Sequence, residues 1–220
     1  MPEFKSEDSV QHALRTELIL DGIFNFLPMQ SLLSCSQVNS LWKYQAQLYI
    51  RDHRKCTVRM TSVSQCCPLN ELIGGMTVVP FNSVNIYLGP HLNCSAAGTS
   101  ATSDHDNLMS KLRLKHLRIK STRGLENCPA TFVVLRLLCS NASNIKSLRF
   151  QFMAPFLLKQ LLQEQLEFPK LEGLELQGMH YIFWEKRGDF LQSIIRASSK
   201  LKRITHDGDH RILQILPEDK

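Results

Sequence analysis

The chain has 220 residues, 43% of them hydrophobic and 21% charged. A chain of this length can bury roughly 70% of its unfolded surface, so one large core with a small appended unit is feasible. No apolar run approaches the roughly 20 residues that a membrane-spanning helix needs, and the first residues, MPEFKSEDS, do not resemble a signal peptide. The seven cysteines, with no Cys-x-x-Cys pair, favour free thiols in a reducing compartment, so we expect a cytoplasmic or nuclear protein.

The net charge of +6 is concentrated in one part of the chain. Residues 111–155 carry nine basic and one acidic side chain, whereas residues 61–110 carry no basic and three acidic side chains. A uniformly basic chain would indicate general affinity for nucleic acid or membrane surfaces. The uneven distribution instead predicts a local basic surface.

A polar leader, residues 1–13, precedes a segment with strong helical periodicity. Leu20, Ile23, Phe24 and Leu27 recur at i, i+3, i+4 and i+7, which predicts one apolar stripe on a helix that Pro28 ends. A second apolar stripe follows in two further helices. So small a helical unit has more apolar surface than its own core needs, which predicts that another domain or a partner covers the remainder. The second stripe consists of Leu32, Leu33, Cys35, Val38, Leu41 and Trp42.

Together these residues resemble the F-box, the small helical motif that binds the Skp adaptor of cullin-based ubiquitin ligases. The resemblance lies in the order and spacing of Ile23-Phe24-x-Phe26-Leu27-Pro28, Leu32-Leu33, Val38 and Trp42, although Arg15 and Thr16 stand where the family usually has Leu-Pro. It implies that residues 14–53 form an F-box that binds the Skp adaptor and, through it, a cullin. The implied adaptor-binding residues are Leu20, Ile23, Phe24, Leu27, Pro28, Leu32, Leu33, Val38 and Trp42.

From residue 54 to residue 220 a different pattern appears. Cys56 to Met60 alternates apolar and polar residues with period two, which predicts a strand. An apolar-x-x-apolar-x-apolar unit then recurs at intervals of 26 to 33 residues, and this unit resembles a degenerate leucine-rich repeat, which many F-box proteins carry after the motif. The units are Phe81/Val84/Ile86, Leu114/Leu117/Ile119, Ile145/Leu148/Phe150, Leu171/Leu174/Leu176 and Leu201/Ile204.

Helical segments separate the later repeats. The sequence predicts a helix or turn over 132–139, a helix over 155–166, and another helix that begins with Asp189 as its N-cap. Strand, loop and helix units of this length require parallel strands with the helices on the outer face. The predicted fold class is therefore α/β: a small three-helix F-box followed by a short, irregular arc like that of leucine-rich repeats.

No catalytic signature is present, since the chain has no GxGxxG, GxxxxGK[ST], GxSxG or HExxH motif. We therefore expect neither enzymatic activity nor a cofactor, and look for function on surfaces. The polar positions of the repeats bring His116, Arg118, Lys120 and Arg149 together on adjacent strands, roughly 5 Å apart. This group could bind an acidic or phosphorylated target, although ordinary solvated charges would give the same pattern.

The resemblance implies a substrate-recognition subunit of a Skp–cullin–F-box ubiquitin ligase. One alternative is a nucleic-acid-binding protein that uses the basic segment 111–149, although charges there alternate with core leucines and exposed aromatic residues are not interleaved. Another is a scaffold with a degenerate F-box, since the Leu-Pro start is missing. No feature indicates a membrane partner.

Overall fold

The computed structural model describes residues 17–60, 76–88, 111–121, 129–153, 155–178 and 184–206. These residues separate into two compact units, one of residues 17–56 with 76–81 and one of the described parts of 57–75 and 82–206. The first unit is helical, and the second contains a parallel sheet with its connecting helices. The predicted mixed α/β class is confirmed, while the predicted leader, residues 1–13, lies outside the described residues.

Three helices form the first unit: α1 (Glu17–Phe26), α2 (Met29–Cys35) and α3 (Ser40–His53). Pro28 separates α1 from α2 in an extended conformation, as its fixed φ and missing N–H predict. Asn39 begins α3, because its side-chain oxygen accepts a hydrogen bond from the Trp42 backbone N–H at 2.9 Å. The core of this unit consists of Leu20, Phe24, Leu32, Ala46, Tyr49 and Ile50.

The end of α1 is tied to α3 by polar contacts. The Arg54 Nη2 group donates to the carbonyl oxygens of Asn25 and Leu27 at 3.3 and 3.2 Å. The Tyr49 hydroxyl lies 3.1 Å from the Asn25 Oδ1 atom, and the Arg54 guanidinium lies over the Tyr49 ring. Since the last carbonyls of a helix have no partner within it, the Arg54 contacts satisfy two carbonyls at the end of α1, and the Tyr49 contacts add a second link between α1 and α3.

In its described residues, the second unit is built on six parallel strands whose order in the sheet follows their order in the chain. One hydrogen-bond arrangement recurs four times. The carbonyl oxygen just before one strand accepts from two successive N–H groups at the start of the next, at 2.7–3.1 Å, with Asn82, Lys115, Lys146 and Glu172 as the acceptors. The strands are β1 (Thr57–Met60), β2 (Ser83–Leu88), β3 (His116–Ser121), β4 (Ser147–Gln151), β5 (Gly173–Gln177) and β6 (Arg203–His206).

The predicted apolar positions of the repeats lie in register and form one buried face of the sheet. Val84, Leu117, Leu148 and Leu174 pair in sequence, and each is at most 2% exposed. The predicted strand near Met60 is confirmed as β1, and its residues Val58 and Met60 pair in register with Val84 and Ile86 of β2. Period-two alternation therefore located both the strands and their register.

Three helices connect the later strands: α4 (Pro129–Asn141), α5 (Pro155–Gln163) and α6 (Trp184–Arg196). The predicted N-cap at Asp189 is wrong, because α6 begins five residues earlier and Asp189 lies inside it. Phe190 of α6 packs edge to face on Phe150 of β4, with ring centroids 5.9 Å apart. The void in this part of the core is only about 10 Å³, room for roughly one water molecule, so it is no ligand cavity.

Asn141, the last residue of α4, is fully buried and fastens this helix to the sheet. Its Oδ1 atom accepts from the Leu114 backbone N–H at 2.9 Å, and its Nδ2 group donates to the Leu137 carbonyl at 3.1 Å. Both polar ends of the amide are thus satisfied inside the core, where an unpaired group would be costly.

Left-handed backbone occurs just after β4, and again just after β5. Phe152 has φ 57° and Gly178 has φ 65°, and the Phe152 N–H donates to the Gln177 carbonyl at 2.8 Å. A Cβ atom on Gly178 would overlap the Phe152 ring. Glycine at residue 178 therefore allows both the backbone conformation and the close approach of the ring.

Candidate functional site

The predicted adaptor-binding residues divide into buried and accessible groups. Leu20, Phe24 and Leu32 are fully buried in the core of the helical unit. Their side chains cannot contact a partner in this conformation, which corrects their assignment as contact residues. They stabilise the unit instead, because one stripe of each helix must face the other helices.

The remaining predicted residues lie nearer the surface. Ile23, Leu27 and Trp42 are partly buried and pack against the same core. The Trp42 ring lies edge to face on Phe24, with centroids 5.9 Å apart, so it has a structural role as well. Three residues of the set are exposed: Pro28, Leu33 and Val38.

A second apolar stripe on α1 was missed by the sequence reasoning. Leu18 is 82% exposed and Phe26 is 85% exposed, and Ile19 is also exposed. Since successive helical residues are turned by about 100°, these three and Gly22 share one side of α1, opposite Leu20. Their spacing, with Leu18 and Phe26 two turns apart, could have revealed the stripe. We call Leu18, Ile19, Phe26, Leu33 and Val38 the exposed apolar set.

The polar face of the sheet carries the second candidate surface. Its central row runs across all six strands in register, and a row on either side completes it. On the described strands these three rows contain five basic side chains and one acidic side chain, Glu175. We call the five bases together the basic face: Arg59, Arg118, Lys120, Arg149 and Arg203.

The predicted target-binding residues are brought together on this surface. Arg118 pairs in register with Arg149, His116 with Ser147 and Lys120 with Gln151, as the repeats predicted. Each of the four predicted residues, His116, Arg118, Lys120 and Arg149, is partly buried. Their proximity is therefore observed, and their role in binding stays a prediction.

Hydrogen bonds hold the two arginines of the central row in a defined geometry. Arg149 Nη2 lies 3.0 Å from Glu175 Oε1 and 3.0 Å from Gln177 Oε1. One strand earlier, Arg118 Nη2 lies 3.4 Å from Gln151 Oε1. At the β1 side of this face, the Arg59 guanidinium lies 5.4 Å from the centre of the Tyr87 ring. The arginines are thus positioned by neighbours and are not freely solvated side chains.

Comparisons with protein-family models, with curated proteins and with solved structures found no match for this chain. Function must therefore be inferred from its two surfaces. Within the described ranges, no three His, Cys, Asp or Glu side chains are grouped as metal ligands would be. None of the described helices combines the length and apolar character needed to span a bilayer.

Two described thiols differ from reactive cysteines. Burial raises the pKa of the Cys56 thiol. Partial burial, and then the nearby Glu164 carboxylate, raise the pKa of the Cys139 thiol. A raised pKa leaves less thiolate at neutral pH, so neither thiol is activated as a nucleophile.

We expect Glu164→Gln to lower the pKa of Cys139, because it removes a negative charge that disfavours the thiolate. The pH at which Cys139 alkylation becomes half-maximal should fall. Mass spectrometry of iodoacetamide-treated protein across a pH series measures this for each cysteine. Cys56 serves as the internal control, and an unchanged Cys139 profile would contradict the assigned role of Glu164.

Proposed function

We propose that this chain is a non-enzymatic substrate-recognition subunit of a Skp–cullin–F-box ubiquitin ligase. In this proposal the helical unit acts as the F-box and binds the Skp adaptor. The sheet unit acts as a short leucine-rich-repeat-like arc that binds a target protein. The observation that carries the proposal is the exposed apolar set on a small unit that already has a complete core.

The helical unit supports this proposal through its division of apolar residues. Leu20, Phe24 and Leu32 fill the core, while Phe26 and Val38 remain mostly in solvent. Several exposed large apolar side chains on so small a unit are typical of a protein interface. The adaptor-binding role is therefore assigned to the exposed apolar set, with Ile23, Leu27, Pro28 and Trp42 at its border.

The sheet unit supports the proposal through its repetition. Each strand is paired with its sequence neighbours, and the same carbonyl arrangement precedes four successive strands. Such stacking presents a continuous polar surface on which a partner can bind. No chemistry is required of the chain itself, because holding a target near a charged conjugating enzyme raises the effective concentration of the target's lysines.

We expect the double variant Phe26→Glu/Val38→Glu to lose capture of the purified Skp adaptor in a pull-down. Buried charge at an apolar interface is costly, and a few central residues usually dominate the binding energy. Both side chains are exposed, so the helical unit should keep its fold, as circular dichroism can verify. Leu27 and Trp42 are less suitable positions, because they pack against the core.

The control is Gln37→Glu, which adds one of the two negative charges at an exposed polar position beside Val38. It should leave adaptor capture unchanged. Equal capture by the double variant and the unmodified protein would refute adaptor binding through this surface. If the unmodified protein itself fails to capture the adaptor, the alternative of a scaffold with a degenerate F-box gains support.

A further inference from the structure

The strands of the sheet repeat one another, so a carboxylate held on one pair of strands shows how the polar face can bind an anion on another pair. On β4 and β5, a single carboxylate oxygen, Glu175 Oε1, lies 3.0 Å from Arg149 Nη2 and accepts from Gln177 Nε2 at 2.8 Å. An arginine on one strand and a glutamine on the next thus hold a glutamate carboxylate. Such charge-assisted hydrogen bonds are stronger than neutral ones.

The same arrangement recurs one strand earlier without its carboxylate. Arg118 is the register partner of Arg149, and Gln151 is the register partner of Gln177. Arg149 itself stands at the position equivalent to Glu175. Within the described part of the chain, Gln151 is the hydrogen-bond partner of Arg118, and no acid pairs with it. The repeat therefore contains the same arginine and glutamine pair, with no carboxylate from the described residues beside it.

The charges around this position favour an anion. Arg118 and Arg149 are register partners on adjacent strands, roughly 5 Å apart, and Lys120 follows on the same face. Glu175 balances one of these three bases, so two positive charges remain. The Nε atoms of both arginines are enclosed and find no hydrogen-bond partner in the described structure, which leaves each guanidinium partly stripped of water. Reduced solvation strengthens attraction to an opposite charge.

We infer that the polar face of the sheet binds an acidic peptide segment, with one of its carboxylates between Arg118 and Arg149 and near Lys120. This inference rests on the proposed function in one respect: it takes the acidic segment to be part of the target protein. The site ends at β5, because there the Glu175 carboxylate already lies beside Arg149 and Gln177, where the peptide carboxylate would otherwise bind. The remaining bases of the basic face would attract further acidic residues of the same segment.

A protein ligand fits this face better than a nucleic acid. Glu175 lies in the central row and would repel a phosphodiester backbone that crossed the strands there. Single-stranded nucleic acids also need aromatic rings on which bases can stack. On the described strands the polar face has the Tyr87 ring, over which Arg59 already lies, and the His116 imidazole. The face thus combines positive charge with little stacking surface.

The test uses the full chain and fluorescence anisotropy with four labelled probes. These are a peptide of alternating glutamate and serine, the same peptide with glutamine for glutamate, a phosphoserine version of the glutamine peptide, and oligo(U) RNA. We expect the glutamate peptide to bind and the glutamine peptide not to bind. Tighter binding of the phosphoserine peptide or of RNA than of the glutamate peptide would overturn the assignment to carboxylates.

Variants locate the site within the face. Arg118→Gln should weaken glutamate-peptide binding at least about tenfold, since a hydrogen-bonded charge pair is lost. Glu175→Gln should tighten binding by roughly threefold or more, because it removes an internal competitor. Arg196→Gln is the matched control, an exposed arginine of α6, and should have no effect. Equal effects of Arg118→Gln and Arg196→Gln would overturn the proposed site.

Adaptor capture, measured on the same protein preparations, separates this inference from the proposed function. Arg118→Gln should still capture the Skp adaptor. Adaptor capture without binding of the glutamate peptide would overturn the inference alone. Peptide binding without adaptor capture would overturn the ligase role while supporting the acidic-segment site.

Discussion

Replacing Phe24 with alanine is expected to unfold the helical unit. The Phe24 ring is fully buried and packs edge to face on both Trp42 and Tyr49, with centroids 5.9 and 5.8 Å away. Removing a buried phenylalanine ring costs about 3–5 kcal/mol of unfolding free energy. A unit of about 45 residues has only roughly 2–7 kcal/mol in total. Hydrogen exchange of residues 17–56, followed by mass spectrometry, should show a loss of amide protection.

Phe26→Ala is the matched control, since it removes the same ring two residues away from an exposed position. Its effect on the unfolding free energy should stay within about 0.5 kcal/mol. The same variant should weaken adaptor capture. Phe24 is thus expected to affect stability, whereas Phe26 is expected to affect binding. Retained amide protection in Phe24→Ala would show that the core assignment is wrong.

Gly178→Ala is expected to destabilise the sheet unit by about 2–4 kcal/mol. A left-handed conformation costs a residue with a side chain about 1–2 kcal/mol, and the new methyl group would overlap the Phe152 ring. The loss should appear as a lower urea midpoint. In a Phe152→Ala background the cost should shrink toward the backbone component alone, because the ring that causes the overlap is gone.

Gly188→Ala is the control for Gly178→Ala within the same unit. Gly188 lies inside α6, and nothing is within 4 Å of a Cβ added there. Alanine favours a helix over glycine by about 0.5–1 kcal/mol, so this variant should be neutral or stabilising. Equal urea midpoints for both alanine variants would contradict the role assigned to Gly178.

The sheet could be predicted in detail because its signal is local and periodic. Leu117 and Ile119 alternate with Arg118 and Lys120, and a slip of one residue would bury the charges and expose the apolar side chains. The same alternation in β4 and β5 then fixes the pairing of neighbouring strands. The positions of the basic residues follow from that register.

The helical unit was harder to predict, because its apolar residues serve two purposes. Leu20, Phe24 and Phe26 look alike in sequence, yet the first two are buried and the third is exposed. The direction of each stripe depends on how α1 packs against α3, which involves residues up to 29 positions apart, such as Arg54 and Asn25. Sequence periodicity therefore identified the buried stripe of α1 but missed the exposed one.

Asn141 shows a further limit of sequence reasoning. Its hydrogen bond to Leu114 spans 27 residues, and an asparagine at the end of a predicted helix has no local feature that indicates burial. The contacts of Arg149 with Glu175 and Gln177 were missed for the same reason. Contacts between polar side chains depend on the orientation of each side chain as well as on strand register, and the sequence pattern predicts only the register.

The chain-order arrangement of the six strands also affects how this sheet can change in evolution. Each described strand exchanges hydrogen bonds only with strands adjacent in sequence, so no later strand completes an earlier pair. Duplication in the gene of one strand and its connecting segment would widen the sheet without changing the register of the existing strand pairs. Deletion of a terminal strand would remove the hydrogen bonds of one strand pair only. The polar surface can consequently gain or lose width in whole-strand steps while the interior pairs remain intact.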